Sequence, residues 1–232
     1  MRKFAPTLGV ILDEHSALSA VLRSIGLLLS EHRRRGTLPD FTVLRAMLFY
    51  IDEFAERLHH TKESQLLFPR IRERCGGELA EVLERLDGDH ARSQEAVREL
   101  QHELLGLEMM HDAPDGQSRR EHFEASMRDY IASYLDHIRI EERQVLPLAE
   151  RVLTAADWAE LDAAFMQNRD PLTRRACDDA YQPLFKRILM TLTAPLGLGP
   201  AMEAMRVSYP TDRYLHDVFA RWAHPGGDAK PS

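Results

Sequence analysis

Cysteine is nearly absent from this sequence. The 232 residues contain only two cysteines, Cys75 and Cys177. This number excludes a framework of several disulfides, a zinc site built only from thiolates, and an iron–sulfur cluster held by cysteines. Because a reducing compartment suits such a chain, we predict that the protein is cytoplasmic.

The sequence also lacks long hydrophobic runs and an excess of positive charge. No apolar run approaches the length of a membrane-spanning helix, and the N-terminal run, which resembles a weak signal peptide, is short and interrupted by Pro6. The 30 lysines and arginines are outnumbered by 37 acidic residues and form no dense patch. We therefore predict no membrane partner and no nucleic-acid partner.

Four long stretches of the chain repeat apolar residues at spacings of three and four, which is typical of helices with one buried face. We predict helices over about 7–33, 41–68, 78–111 and 118–146. Asp40 is placed to cap the second helix, and Pro69 is expected to kink or stop it. Helices of this length joined by short loops favour an all-α fold, an up-down-up-down four-helix bundle. Residues 8–75 and 78–150 resemble two copies of one helical hairpin.

We divide the chain into a bundle domain, residues 1–150, and a C-terminal helical extension, residues 151–232. Thr154 and Asp157 resemble a capping box that opens a short helix to about Gln167. Its apolar face should pack on the bundle and contains Trp158, Leu161 and Phe165. Further helices are predicted over about 175–193 and 201–222, before a flexible tail. The extension either covers the open end of the bundle or forms a homodimer contact.

Two stretches of the chain share one pattern of polar residues. His59 and His137 are each followed four residues later by a glutamate, Glu63 or Glu141, and ten residues later by a proline. Residues four apart lie on the same face of a helix, so each stretch presents an imidazole beside a carboxylate. This pairing is typical of metal ligands.

His15 and His90 each occupy a position on an apolar seam where leucine is expected. The fixed rise of a helix places both at the height of His59 and His137 along the bundle, so the polar side chains converge on one level. Carboxylates buried there without a partner would each be penalised by several kcal/mol, and a bound cation is the simplest resolution. The candidate metal ligands are His15, His59, Glu63, His90, His137 and Glu141.

The absence of thiolate among these ligands favours iron or manganese over copper(I), with zinc as an alternative. Four imidazoles and two carboxylates suit two metal ions about 3.5–4 Å apart, bridged by Glu63 and Glu141. Single histidines on apolar seams usually belong to hydrogen-bonded cores, but four of them at one height together with two glutamates favour the metal site.

The motifs resemble those of the hemerythrin-like domains that carry the HHE cation-binding signature. The resemblance spans about residues 8–150 and rests on Glu14-His15, Asp89-His90, His59-x3-Glu63 ahead of Leu67-Phe68-Pro69, and His137-x3-Glu141 ahead of Leu146-Pro147. It implies a non-haem di-iron centre with an oxo or hydroxo bridge, four terminal histidines and two bridging glutamates. It also implies a small-molecule partner: O₂, NO or peroxide.

The sequence departs from the oxygen-carrying members of that family at two places. They have a fifth imidazole at the position of Gln94, and their last carboxylate is an aspartate five residues after its histidine, where this chain has Glu142. Fewer imidazoles leave more positions open on the metal pair. The departures therefore weaken the case for reversible O₂ carriage and favour turnover or redox signalling.

Three functions remain open from the sequence. The first is a di-iron protein that binds or senses O₂, NO, related oxidants or iron; the second is a di-iron oxidase or peroxidase-like enzyme; the third is a helical interaction module with a structural metal. We predict no catalytic side chain apart from the ligands. His60 is expected on the surface and Glu142 in solvent. Tyr134 is most simply a core aromatic, and its position about one turn before His137 also allows it to reach the site as a hydrogen-bond donor.

Overall fold

A computed structural model describes residues 5–168, 170 and 172–173 of the chain. These residues form five helices and no strand: α1 (Pro6–Arg35), α2 (41–74), α3 (Ala80–Met110), α4 (116–152) and α5 (Ala155–Phe165). The predicted all-α fold is confirmed. The helices predicted over 175–193 and 201–222, the tail and the homodimer contact lie outside the described residues.

Helices α1 to α4 form the bundle. Helix α1 packs against α2 and α4, and α3 packs against the same two helices. Each helix therefore lies next to the helix that follows it in sequence. The alternation of up and down directions stays a prediction from the short connections.

Capping residues lie at several helix ends, and two of these caps were predicted from the sequence. The side chain of Asp40 accepts a hydrogen bond from the backbone N–H of Thr42 at 2.8 Å, so it caps α2 as predicted. Gly36 ends α1 with a φ of +66°, a left-handed conformation that glycine adopts without strain. Thr154 and Asp157 form the predicted capping box of α5.

Helix α5 packs on the bundle with its predicted apolar face. Leu161 and Phe165 are buried, and Trp158 is partly buried against the same cluster. Asp162 on α5 also accepts hydrogen bonds from the backbone N–H and the hydroxyl of Thr7, at 2.8 and 2.6 Å. These contacts attach α5 to the start of α1.

The predicted ends of α2 at residue 68 and of α4 at residue 146 are wrong, because both helices continue past their prolines. The backbone widens to a π-helix at Glu63–Leu67 and again at Glu141–Val145. In each case an N–H donates to the carbonyl of the glutamate five residues earlier, Phe68 to Glu63 and Leu146 to Glu141. The proline is then the second residue of the resumed α-helix, where a missing N–H is tolerated.

The core of the bundle consists of two apolar clusters. The first cluster is drawn from residues 17–29, 43–55, 97–107 and 123–138, together with Leu172. The second cluster is drawn from residues 8–11, 67–71, 83–86 and 140–165. The two clusters leave a level of the bundle between them that neither fills. Among the described residues, no helix is long and apolar enough to cross a membrane.

Candidate metal centre

Between the two apolar clusters lies a level of buried polar side chains, which we call the polar layer. None of its members exposes more than 7% of its surface: His15, His59, His60, Glu63, His90, His137 and Glu141. All six residues singled out in the sequence lie in this layer, and His60 is the addition. Helices α1 to α4 each contribute at least one side chain.

The polar layer contains a first group of potential metal ligands from α1, α2 and α4: His15, His59, Glu63 and Glu141. One ligand atom from each lies within 4.8 Å of the others. The Nε2 atoms of His15 and His59 are 3.0 Å apart, and Glu63 Oε1 is 3.1 Å from His59 Nε2. Two imidazoles and two carboxylates therefore surround one small space.

A second group lies beside the first and consists of His60, Glu63, His90 and His137, whose ligand atoms also lie within 4.8 Å of one another. The Nε2 atoms of His90 and His137 are 3.1 Å apart, and Glu63 Oε2 is 3.6 Å from His90 Nε2. Glu63 thus belongs to both groups and points one oxygen at each. Glu141 Oε2 also lies between them, 3.4 Å from His15 Nε2 and 3.7 Å from His137 Nε2.

The carboxylates of the polar layer fit a bound cation. Glu63 and Glu141 are fully buried, and none of their four carboxylate oxygens has a hydrogen-bond partner among the described residues. Both oxygens of Glu63 and Oε2 of Glu141 lie 3.1 to 3.6 Å from imidazole nitrogens, but outside hydrogen-bond geometry. Because buried polar atoms are normally satisfied, a cation coordinated by these oxygens would supply what they lack.

Most imidazoles of the polar layer are oriented by hydrogen bonds to side chains outside the layer. Four of them have Nδ1 within hydrogen-bond distance of an outer oxygen: His15 with Glu142 at 3.1 Å, His59 with Glu14 at 2.8 Å, His60 with Glu56 at 2.9 Å, and His90 with Ser64 at 2.8 Å. The Nδ1 of His137 has no such partner, and the nearest carboxylate oxygen, on Asp89, is 3.8 Å away. Outer hydrogen bonds of this kind fix the tautomer and direction of metal-binding histidines.

The sequence-based placement of His60 on the surface is wrong. Its side chain is 4% exposed, and its ring stacks on His90 with centroids 3.9 Å apart. The π-helical backbone over Ile51–His60 turns successive residues through a smaller angle than an α-helix, so His59 and His60 both face the interior. Glu56, four residues earlier, was a sequence signal for this inward position because the pair shares a helix face.

Two neighbours of the polar layer complete its surroundings. Tyr134 reaches the site as predicted, with its hydroxyl 2.7 Å from His60 Nε2. The prediction that Glu142 points into solvent is wrong, because its side chain is only 19% exposed and contacts His15. It lies one residue beyond Glu141 on the widened turn Glu141–Val145, which places it behind His15.

Protons accumulate in the polar layer when no cation is present. Burial and the negative charge of Glu141 raise the pKa of Glu63 to about 8. Burial disfavours a charged His15, but the negative charge of Glu141 at 3.4 Å and the hydrogen bond with Glu142 at 3.1 Å outweigh it and raise the pKa of His15 to about 9. At neutral pH Glu63 is therefore neutral and His15 is charged, and both carry protons that a bound cation would displace.

A cleft of about 280 Å³ between α3 and α4 reaches the polar layer from the outside. Its wall includes His60 and His137 of the layer, together with Tyr130 and Tyr134. At its outer side lie the exposed residues Arg92, Glu99, Asp129 and Ser133. The cleft therefore connects solvent with the second group of potential ligands.

Comparison with known protein families gives one match that covers more than half of the chain. The family described as the Hemerythrin HHE cation binding domain matches residues 7–149. The matched residues include the whole polar layer. No curated protein gives a significant match to the chain.

Proposed function

The chain belongs to the hemerythrin family of HHE cation-binding domains, and we propose that its polar layer holds two iron ions at which O₂, NO or a related small oxidant binds. The observation that supports this most directly is the sharing of Glu63. One fully buried carboxylate points an oxygen into each of two adjacent ligand groups. Carboxylates in this position are typical of two-metal sites.

We assign His15 and His59 to the first cation and His90 and His137 to the second. Glu63 bridges the two, and Glu141 lies beside both. The donor atoms are nitrogen and oxygen without thiolate, which favours iron or manganese over softer metals. When bound, the irons would supply the redox chemistry, while the chain holds the ligands in place.

Metal analysis tests the assignment directly. Protein purified from cells supplied with iron should contain two irons per chain, because each ligand group can satisfy one cation. Its ultraviolet and visible spectrum should show the bands of an oxo-bridged ferric pair, and these bands should change after reduction and exposure to O₂ or NO. Zinc as the bound metal, or a spectrum that is indifferent to both gases, would contradict the iron proposal.

An oxidase or peroxidase-like activity is the second candidate. The cleft that connects solvent with His60 and His137 favours it, because repeated turnover needs access from solvent. The two functions differ in stoichiometry. A sensor should consume about one equivalent of peroxide per metal pair, whereas an enzyme supplied with an electron donor should consume it continuously.

His60 is a further candidate ligand of the second cation, in a chain that has Gln94 where the oxygen-carrying members of the family have an imidazole. If His60 binds that cation, His60→Ala should lower the affinity for the second cation. The loss should exceed the roughly 10–100-fold in affinity that outer hydrogen-bond partners of metal ligands contribute. The first cation should be retained. Isothermal titration with Co²⁺ resolves the two steps.

Tyr134→Phe is the matched control for His60. It removes the hydroxyl 2.7 Å from His60 Nε2 and leaves the imidazole in place. If His60 is a ligand, Tyr134→Phe should retain both binding steps. If His60 serves only to connect Tyr134 and Glu56, the two variants should bind both cations like the parent.

A further inference from the structure

We propose that the cleft between α3 and α4 is the passage through which a divalent cation enters and leaves the polar layer. The proposal rests on the cation-binding function proposed above and adds the route, the residues that attract the cation and the order in which it meets them. Neither the family nor the ligand groups specify how an ion reaches a level enclosed by two apolar clusters.

The charge of the cleft favours cations. Its wall contains the carboxylates of Asp89, Glu99, Glu103 and Asp129, and the guanidinium of Arg92. Arg92 is itself paired with Asp89 at 2.5 Å, and the excess negative charge of the wall is therefore that of Glu99, Glu103 and Asp129. A cleft lined by one sign of charge raises the local concentration of the opposite ion and speeds its association. Anionic oxidants and anionic chelators would be repelled by the same field.

The inner end of the cleft presents a buried nitrogen without a hydrogen-bond partner. His137 lines the cleft, is 4% exposed, and has an Nδ1 that no described residue hydrogen-bonds. That nitrogen faces Asp89, another wall residue, at 3.8 Å, while Nε2 of the same ring lies 3.1 Å from His90 inside the layer. The carboxylate of Asp89 and the ring of His137 thus lead from the wall of the cleft to the second ligand group.

The two directions along the bundle axis are unfavourable for an ion. Along the bundle axis, the polar layer is bounded by the first apolar cluster on one side and the second on the other. A cation moving through either would lose its hydration without gaining oxygen or nitrogen ligands, at a cost of many kcal/mol. In the cleft, carboxylate oxygens are available to it along the wall.

Neutralising the mouth of the cleft tests the role of its charge. Glu99→Gln combined with Asp129→Asn should slow Co²⁺ loading of the full, chelator-stripped chain by roughly threefold to tenfold at low salt. The difference should vanish at high salt, because salt screens exposed charges. Stopped-flow absorbance gives the second-order rate, and the final metal content should equal that of the parent. Glu84→Gln with Glu95→Gln is the matched control, since both residues are exposed on α3 outside the cleft.

Closing the cleft tests the passage itself. Ser133→Trp places a large ring in the wall, whereas Ala132→Trp places the same ring at an exposed neighbour outside it. Ser133→Trp should slow both Co²⁺ loading and release to a chelator severalfold, and Ala132→Trp should leave both rates at the parental value. Rates that change in both directions together identify a kinetic barrier rather than a change in affinity.

Several outcomes would overturn the proposal. Equal slowing by the two charge-neutralised pairs would mean that net charge, and not the cleft, sets the rate. Parental rates in Ser133→Trp would place the route elsewhere, while the cation-binding proposal would stand. A parent protein that takes up no cation at equilibrium would end both proposals at once.

Discussion

Glu63→Gln is expected to release both cations, whereas Glu141→Gln should retain one with reduced affinity. The difference follows from position, since Glu63 points a separate oxygen into each ligand group, whereas Glu141 completes the first group and reaches the second only through Oε2, 3.7 Å from His137. A neutral amide is a weaker ligand than a carboxylate and supplies no negative charge to two adjacent cations. Metal content after dialysis, measured by inductively coupled plasma spectrometry, should fall to nearly zero in Glu63→Gln.

A buried glutamate outside the polar layer provides the control. Glu124 is 6% exposed and pairs with Arg33 and Arg120. Glu124→Gln should lower stability without altering metal content. If the double variant Glu63→Gln, Glu141→Gln came out as fully loaded as its parent, the polar layer would not be a metal centre.

Stability should depend on pH in opposite ways with and without the cations. In the metal-free protein, the pKa of Glu63 is raised from 4.5 to about 8, mainly by burial. A carboxyl of this kind destabilises the fold as pH rises from its unfolded pKa towards its folded pKa, because the unfolded chain has released a proton that the folded chain retains. At neutral pH the raised pKa of Glu63 lowers the free energy of unfolding by about 3 kcal/mol.

His15 adds to the same trend. Its pKa is raised from 6.5 to about 9, so its stabilising contribution is present below about pH 6.5 and is lost as pH rises through 9. In the loaded protein these protons are displaced, and cation binding strengthens as pH rises because protons compete with the metal. Urea unfolding between pH 5 and 9 should therefore give a falling stability for the metal-free protein and a rising one for the loaded protein.

The variant Glu63→Gln separates this effect from general sensitivity to pH. In the metal-free state it should be more stable than the parent at pH 8, and the two should converge near pH 5. A falling curve with the same slope in variant and parent would show that Glu63 is not its cause. If metal removal instead unfolds the parent at every pH, the metal is structural and the interaction-module hypothesis is favoured.

Helical periodicity was sufficient to place most of the polar layer. The spacing from His59 to Glu63 and from His137 to Glu141 survives the local widening of the backbone because both pairs lie one turn apart. His15 and His90 were identified because a polar residue on an apolar seam is conspicuous. The heights agreed because the rise per residue of a helix is nearly constant.

The predictions failed where the backbone leaves the regular α-helix. The π-helical segment Ile51–His60 turned His60 inward, and the segment Glu141–Val145 brought Glu142 behind His15. The same widening carried α2 and α4 past Pro69 and Pro147. Regular α-helical angles assign such residues to the wrong face, since the angle per residue changes within a wider turn.

The sequence by itself determined that this chain is helical, that its polar residues meet at one level and that a cation is the natural occupant, because these follow from a constant helical repeat and from the cost of burying carboxylates. Only the tertiary structure decided that Glu63 is shared, that His60 joins the layer and that an acidic cleft reaches it. Those features depend on how the helices rotate and separate, and packing between distant segments sets both.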